Sequence, residues 1–340
     1  SVSVGGYARG GKRGEGSYGE VFSAQEETTG HARALKRVRM EKEKEGFPLT
    51  ALREIALLRR LRHPHIVSLI DVAVGPRPDR VFLVFEYCDH DLASLLDSSP
   101  SPPFSEGEVK RLLLQLLDAV AFMHEQWVLH RDIKMSNLLY SHGSLKLCDL
   151  GLAREFGTPL VPYTPKVVTL WYRAPELLLG AKTYSSAIDL WACGGIMGEL
   201  LLHAPILPGR NEREQLLLTY ELLGSPNETI WPGYSSLPHL ALFSIPHQPY
   251  NNISQRFPSL SSAGRELLNS LLTYDPDKRP SAREAIKHDY FRERPIPKCV
   301  DAMPSFPSPS RQEGRKRPRS GGDAENSKAK EKGARLGMLF

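Results

Sequence analysis

The chain has 340 residues, 41% apolar and 24% charged, with 27 glycines and 27 prolines. That is enough for two globular domains, or one large one with a tail, and it excludes a repetitive or low-complexity chain. The four cysteines, Cys88, Cys148, Cys193 and Cys299, form no C-x-x-C pair; this excludes a structural zinc site or secreted disulfide framework and points to a reducing compartment.

The net charge of +5 is unevenly placed. Residues 311–340 hold nine of the 44 Lys/Arg and four of the 39 Asp/Glu, leaving 35 of each in the rest of the chain. The basicity therefore belongs to the tail, and no nucleic-acid-binding core is indicated. The chain opens on Ser1 rather than methionine, as a fragment or processed product would, and no charged-then-apolar leader pattern follows.

Residues 1–13, rich in Gly and Ser with isolated basic residues, read as mostly flexible, with residues 1–9 outside any domain. Gly14-Glu15-Gly16-Ser17-Tyr18-Gly19-Glu20-Val21 follows, with glycines spaced so that backbone N–H groups can approach phosphates. Alone this is weak, since a hairpin turn needs the same residues, and no helix pattern follows as a dinucleotide fold requires. Val21 suits a strand lying over an adenine ring. Ala34-Leu35-Lys36-Arg37-Val38 is strand-like with an internal lysine. After a polar loop at 41–46, Pro48 suits a first helical turn, and Leu49, Leu52, Ile55/Ala56 and Leu58 form an apolar face carrying Glu54. His63-Pro64 closes that helix.

Residues 66–74 and 81–87 read as strands around a proline-rich turn, and past Cys88 the pattern becomes helical, marking a lobe boundary. Ser105-x-x-Glu108 is a capping box for a long helix through Met123. Residues 187–202 are the most apolar segment, but Asp189 and Glu199 make this a buried core helix and not a membrane span. Residues 233–258 are irregular, and 293–340 read as disordered.

Between these lie His130-Arg131-Asp132-Ile133-Lys134, Asn137, Asp149-Leu150-Gly151 and Ala174-Pro175-Glu176. Phosphoryl transfer needs a group that accepts a hydroxyl proton, oxygen ligands for Mg²⁺, and fixed positive charge near the phosphates. Asp132, Asn137 with Asp149, and Lys36 supply those types. The ordered set of glycine-rich loop, strand lysine, helix glutamate, H-R-D, D-x-G and A-P-E resembles the eukaryotic protein kinases over roughly residues 10–292.

The resemblance implies an α+β, bilobal protein-kinase fold: a small β-rich N-lobe at 10–88 and a large, mainly helical C-lobe at 89–292. It implies that Gly14, Glu15, Gly16, Ser17, Tyr18, Gly19, Val21 and Ala34 surround ATP, and that Lys36 neutralises its α- and β-phosphates while paired with Glu54. Phe85 would be the gatekeeper, with Glu86, Cys88 and Asp91 completing the nucleotide site. Asp132 would be the base, Lys134 the γ-phosphate contact, and Asn137 and Asp149 the Mg²⁺ ligands. Glu176 would form a buried structural pair with Arg279. Ile133 and Leu150 depart from the usual Leu and Phe, but both positions pack and do not react. A catalytically inactive kinase-fold scaffold is the alternative reading.

Pro48-Leu49-Thr50-Ala51-Leu52-Arg53-Glu54 and the loop 164–180 are similar to cyclin-dependent kinases, with the DLASLL, GAKTYSSAIDLW, IWPGY and QPYNN stretches leaning to the PITSLRE and PISSLRE branches. That likeness implies a cyclin partner of the L type that touches Pro48, Leu49 and Leu52 and swings Glu54 toward Lys36. It implies an activating phosphosite at Thr164 bound by Arg53, Arg131 and Arg154, and inhibitory phosphosites at Ser17 and Tyr18. It also implies Ser/Thr-Pro protein substrates, selected near Val167-Val168, and roles in transcription, splicing and the cell cycle. The basic runs at 315–319 and 328–332 read as nuclear import signals.

Overall fold

The computed structural model describes residues 3–16, 19–38, 48–77, 80–98, 104–157 and 169–307. Strand alternation builds the first layer. β1 (Ser3–Val4), β2 (Tyr7–Gly16), β3 (Gly19–Glu26), β4 (Ala32–Arg37), β5 (Leu69–Val74) and β6 (Val81–Glu86) form one antiparallel sheet ordered β1-β2-β3-β4-β6-β5. In β6 successive side chains leave opposite faces. Phe82 and Val84 enter a small cluster with Val4, Tyr7, Ala24, Leu35 and Ala73, while Val81, Leu83 and Phe85 enter the main core.

The expected flexible N-terminus is corrected at this sheet. Val4 and Tyr7 are buried in the small cluster, and the Tyr7 hydroxyl donates to Asp71 at 3.3 Å. Two register shifts in β2, between Arg9 and Lys12 and between Lys12 and Gly14, break the alternation that would have marked a strand.

α1 (Leu49–Arg60) starts directly after Pro48, whose ring pre-sets its entry. Its inward side is formed by Ala51, Glu54, Leu57 and Leu58, with Leu61 just beyond the last turn. The apolar face is divided: Leu58 is buried, whereas Leu49 is 70% and Leu52 48% exposed.

The second layer is helical. α2 (Leu92–Ser98) is followed by α3 (Glu106–Glu125), opened by the capping box, in which Glu108 accepts from the Ser105 N–H at 2.7 Å. Short strands lie between the layers. β7 (His90–Asp91) pairs with β9 (Leu138–Ser141), which pairs with β10 (Ser144–Leu147); β8 (Val128–Leu129) pairs with β11 (Arg154–Glu155). After a single turn, α4 (Pro175–Leu178), comes α5 (Ala187–Leu202), with the predicted bounds and Asp189 and Glu199 buried inside it. α6 (Glu212–Leu223), α7 (Ile253–Arg256), α8 (Ser262–Leu271) and α9 (Ala282–Ile286) complete the layer. Among the described residues no helix is long and apolar enough to cross a membrane.

The predicted disorder from 293 is also corrected. The compact unit runs to Phe306, with a 3-10 turn at Val300–Ala302 and Met303 buried in the main core. This segment follows no helix or strand period, so its isolated apolar residues gave no signal. The basic runs at 315–319 and 328–332 lie outside the described residues.

Candidate active site

Lys36 lies on β4 opposite Val21 of β3 and Leu83 of β6, so the sheet itself fixes where its ammonium can reach. Its Nζ is 2.7 Å from Glu54 Oε1 on α1 and 3.0 Å from Asp149 Oδ1 after β10. Three distant segments therefore meet at one cation. Burial alone would depress the Lys36 pKa, but the two carboxylates outweigh it and the pKa stands raised. Burial likewise pushes Asp149 up, and the Lys36 charge and hydrogen bond override it, leaving its carboxyl below the usual range.

These shifts have a pH signature. A depressed Asp149 pKa stabilises the fold above the unfolded value of about 3.9, and that contribution is lost as pH falls through the folded value. A raised Lys36 pKa stabilises fully below about 10.4 and is lost as pH rises through its folded value. Lys36→Met removes the strongest influence holding the Asp149 pKa down and leaves only His130 and the Gly151 N–H to oppose burial. Stability should then fall less steeply as pH drops through the acid range, as read by urea midpoints measured across that range; an unchanged slope would contradict the pairing.

The second group is built on the loop after β8. Asp189 of α5 accepts from the backbone N–H groups of His130 and Arg131, each at 2.9 Å, and lies 2.9 Å from His124 Nε2. This anchors a turn in which Arg131 takes the left-handed conformation, with φ 66°. The same turn aims Asp132 inward. Its Oδ2 accepts from Lys134 Nζ at 2.8 Å and Asn137 Nδ2 at 3.1 Å, and its Oδ1 accepts from Thr169 Oγ1 at 3.0 Å. Asn137 Nδ2 also donates to the Asp132 carbonyl at 2.8 Å, so the amide oxygen is the end turned to other use.

The site thus presents a buried carboxylate ringed by donors, and a lysine held between two carboxylates. The chain matches the protein kinase domain over residues 7–291. It is 52% identical to the probable cyclin-dependent kinase 10 of Dictyostelium discoideum, over 88% of this chain and 82% of that one. It is also 52% identical to human cyclin-dependent kinase 10, over 86% and 82% of the two chains. The chain belongs to the cyclin-dependent kinase family. With cyclin-dependent kinase G-2 of Oryza sativa subsp. japonica it shares 52% identity over 90% of its own length but only 44% of the relative's.

In this kinase the bilobal fold places the remaining predicted residues as follows. Gly14, Glu15 and Gly16 end β2 and Gly19 opens β3, with Gly16 and Gly19 paired; Ser17 and Tyr18, between them, lie outside the described residues. Ala34 pairs with Phe85, which is buried in the main core. The Glu86 carboxylate is engaged by the Ser68 N–H at 2.7 Å and Lys146 at 2.9 Å. Burial, with Glu86 nearby, pushes the Cys88 thiol up to about 12, so it is neutral at ordinary pH. Asp91 accepts from the Ser94 N–H and hydroxyl at 2.8 and 2.7 Å, capping α2.

Arg53 is exposed on α1, whereas Arg131 is buried, donating to the Leu152 carbonyl and the Tyr184 hydroxyl, each at 2.8 Å. Arg154 is half-buried and donates to the Ala153 carbonyl at 2.9 Å. Thr164 and Val167-Val168 lie outside the described residues. Pro48 is buried, and Leu49 and Leu52 project outward from α1.

The ion pair between Glu54 and Lys36, which the likeness implies a partner completes, is formed in the structure. Lys36 is held from both sides, so the Asp149 contact supports the closed arrangement. Sequence reasoning missed two residues. Asp189 was legible as one of two acids in an otherwise apolar helix, a pattern that demands buried partners; Thr169 carried no signal at all.

Proposed function

We propose that this kinase is a serine/threonine protein kinase that transfers the ATP γ-phosphate to Ser/Thr-Pro sites and is activated by a cyclin. The observation that carries the reading is the Asp132 carboxylate, held by Lys134, Asn137 and Thr169 within the loop anchored on Asp189. A substrate hydroxyl replacing one of these donors would give its proton to Asp132, with Lys134 beside it to meet the negative charge of the moving phosphoryl group. Lys36, fixed by Glu54, would hold the α- and β-phosphates. The oxygens of Asn137 and Asp149 are hard donors that suit Mg²⁺, as does a site where much of the coordination comes from phosphates and water. When bound, that ion neutralises charge on the phosphates.

Retention of every charged position speaks against the inactive scaffold. The exposed Leu49 and Leu52 support a cyclin contact at α1, for which we propose an L-type cyclin that stabilises the pair already formed. Phosphorylation at Thr164 would draw on Arg53, Arg131 and Arg154; phosphate at Ser17 or Tyr18 would crowd the nucleotide with like charge. The basic runs support a nuclear location, extending to the cytoplasm, and the family likeness supports roles in transcription, splicing and the cell cycle.

Leu49→Asp places a charge in the proposed contact and should abolish co-purification with an L-type cyclin while leaving the fold intact. In the cyclin-bound enzyme, a Ser-Pro peptide should be phosphorylated about ten-fold or more faster than its Ser-Ala counterpart, because a proline leaves no buried N–H unpaired. Retained cyclin binding by the variant, or equal rates on both peptides, would contradict the respective part.

A further inference from the structure

After the 3-10 turn at Asp289–Phe291 the chain turns back across α3 as a strap. The Lys298 N–H donates to the Gly107 carbonyl at 3.0 Å, and the Arg111 guanidinium donates to the Lys298 carbonyl. Further on, the strap lies directly against Gly143 in the β9–β10 turn. Gly143 has φ +77°, and a Cβ there would collide with the Val300 carbonyl and stand 3.0 Å from Met303 Cβ. Only glycine permits that approach.

The strap then reaches the side of the β7–β9 ladder. The Tyr140 hydroxyl donates to the Pro304 carbonyl at 2.5 Å. Phe306 lies edge-on to His90 at 6.1 Å, to Phe104 at 5.7 Å and to Tyr140 at 5.7 Å. His90 and Tyr140 are cross-strand partners, and the neighbouring rung is Asp91 with Leu139. Asn137 ends the 3-10 turn that runs straight into β9. Phe306 therefore grips the rung next to Asp91, on the strand that Asn137 leads into. A strand of only two residues, as β7 is, holds its register poorly without such cover.

We propose that Phe306, through His90 and Tyr140, is a positioning residue of the nucleotide site. It holds the rung beside Asp91 and the start of β9 behind Asn137, so that the carboxylate and amide present one fixed geometry to the nucleotide. This rests on the reading above that places Asp91 and Asn137 at the nucleotide.

The test uses the full chain bound to its cyclin. Phe306→Ala should raise the KM for ATP about five-fold, the size of effect that losing an edge-to-face ring contact brings, with kcat within about two-fold. Phe306→Tyr keeps the ring and should restore KM. Hydrogen exchange should quicken at residues 90–91 and 139–140 and stay unchanged in α5. Should the alanine variant fail to fold, Phe306→Leu, which keeps apolar bulk without the ring, carries the same test. An unchanged KM and unchanged exchange at the ladder would overturn the proposal, as would kcat and stability falling together with KM constant. A wild-type complex that transfers no phosphate would instead overturn the nucleotide reading, and the exchange comparison would then decide the strap's hold on the ladder.

Discussion

Replacing Arg279 with alanine is expected to destabilise the protein by about 3–5 kcal/mol, the cost of leaving one partner of a buried ion pair uncompensated. Arg279 donates through Nη1 and Nη2 to both oxygens of Glu176 at 2.6 Å, with no exposed side-chain surface of its own. It also donates to the carbonyls of Thr273, Ala187 and Tyr274, and its guanidinium lies 5.0 Å from the Trp191 ring centre. One side chain thus ties α4 to α5 and to the turn after α8. Because whole domains are stable by only about 5–15 kcal/mol, the loss should be visible as a large fall in the urea midpoint. The exposed Arg210–Glu214 pair, 2.9 Å apart, makes the contrast: its removal should leave the midpoint unmoved. A small effect at Arg279 would mean that Glu176 finds water or another donor.

The second large effect belongs to the reaction. Asp132→Asn keeps size and most hydrogen-bonding capacity but removes the proton acceptor, and kcat should fall by roughly 10²–10⁴-fold. With the amide oxygen in the Oδ2 position Lys134 and Asn137 keep their acceptor, and the Thr169 hydroxyl can turn to accept from the new NH2, so melting temperature should change little. Removing Lys134 as well should cost less than the two single losses combined, since both groups serve one transfer step.

Much of this site was legible because its chemistry is carried by residue types at short spacing. Asp132, Lys134 and Asn137 share one loop, and Lys36 and Glu54 sit on elements that periodicity marks. The long helices were legible for the same reason: Ser105 and Glu108 announce α3, and the run at Ala187–Leu202 can only be interior. What escaped were contacts decided by tertiary structure. Thr169 reaches Asp132 across 37 residues of chain. Val4, Tyr7, Met303 and Phe306 are isolated apolar residues in glycine- or proline-rich segments, where no period separates a packed strand or strap from a loose tail. The outward turn of Leu49 and Leu52 was legible only through the family likeness, because an apolar helix face looks the same whether it meets the core or a partner.

Transfer of the γ-phosphate is the most direct measurement. The cyclin-bound chain, given Mg-ATP labelled at the γ-position and a Ser-Pro peptide, should label the peptide. Asp132→Asn and Asp149→Asn, folded and still cyclin-bound, should each lose at least 100-fold of that rate. Equal labelling by the wild type and both variants would mean that the buried carboxylate and the lysine-bound aspartate do no chemistry.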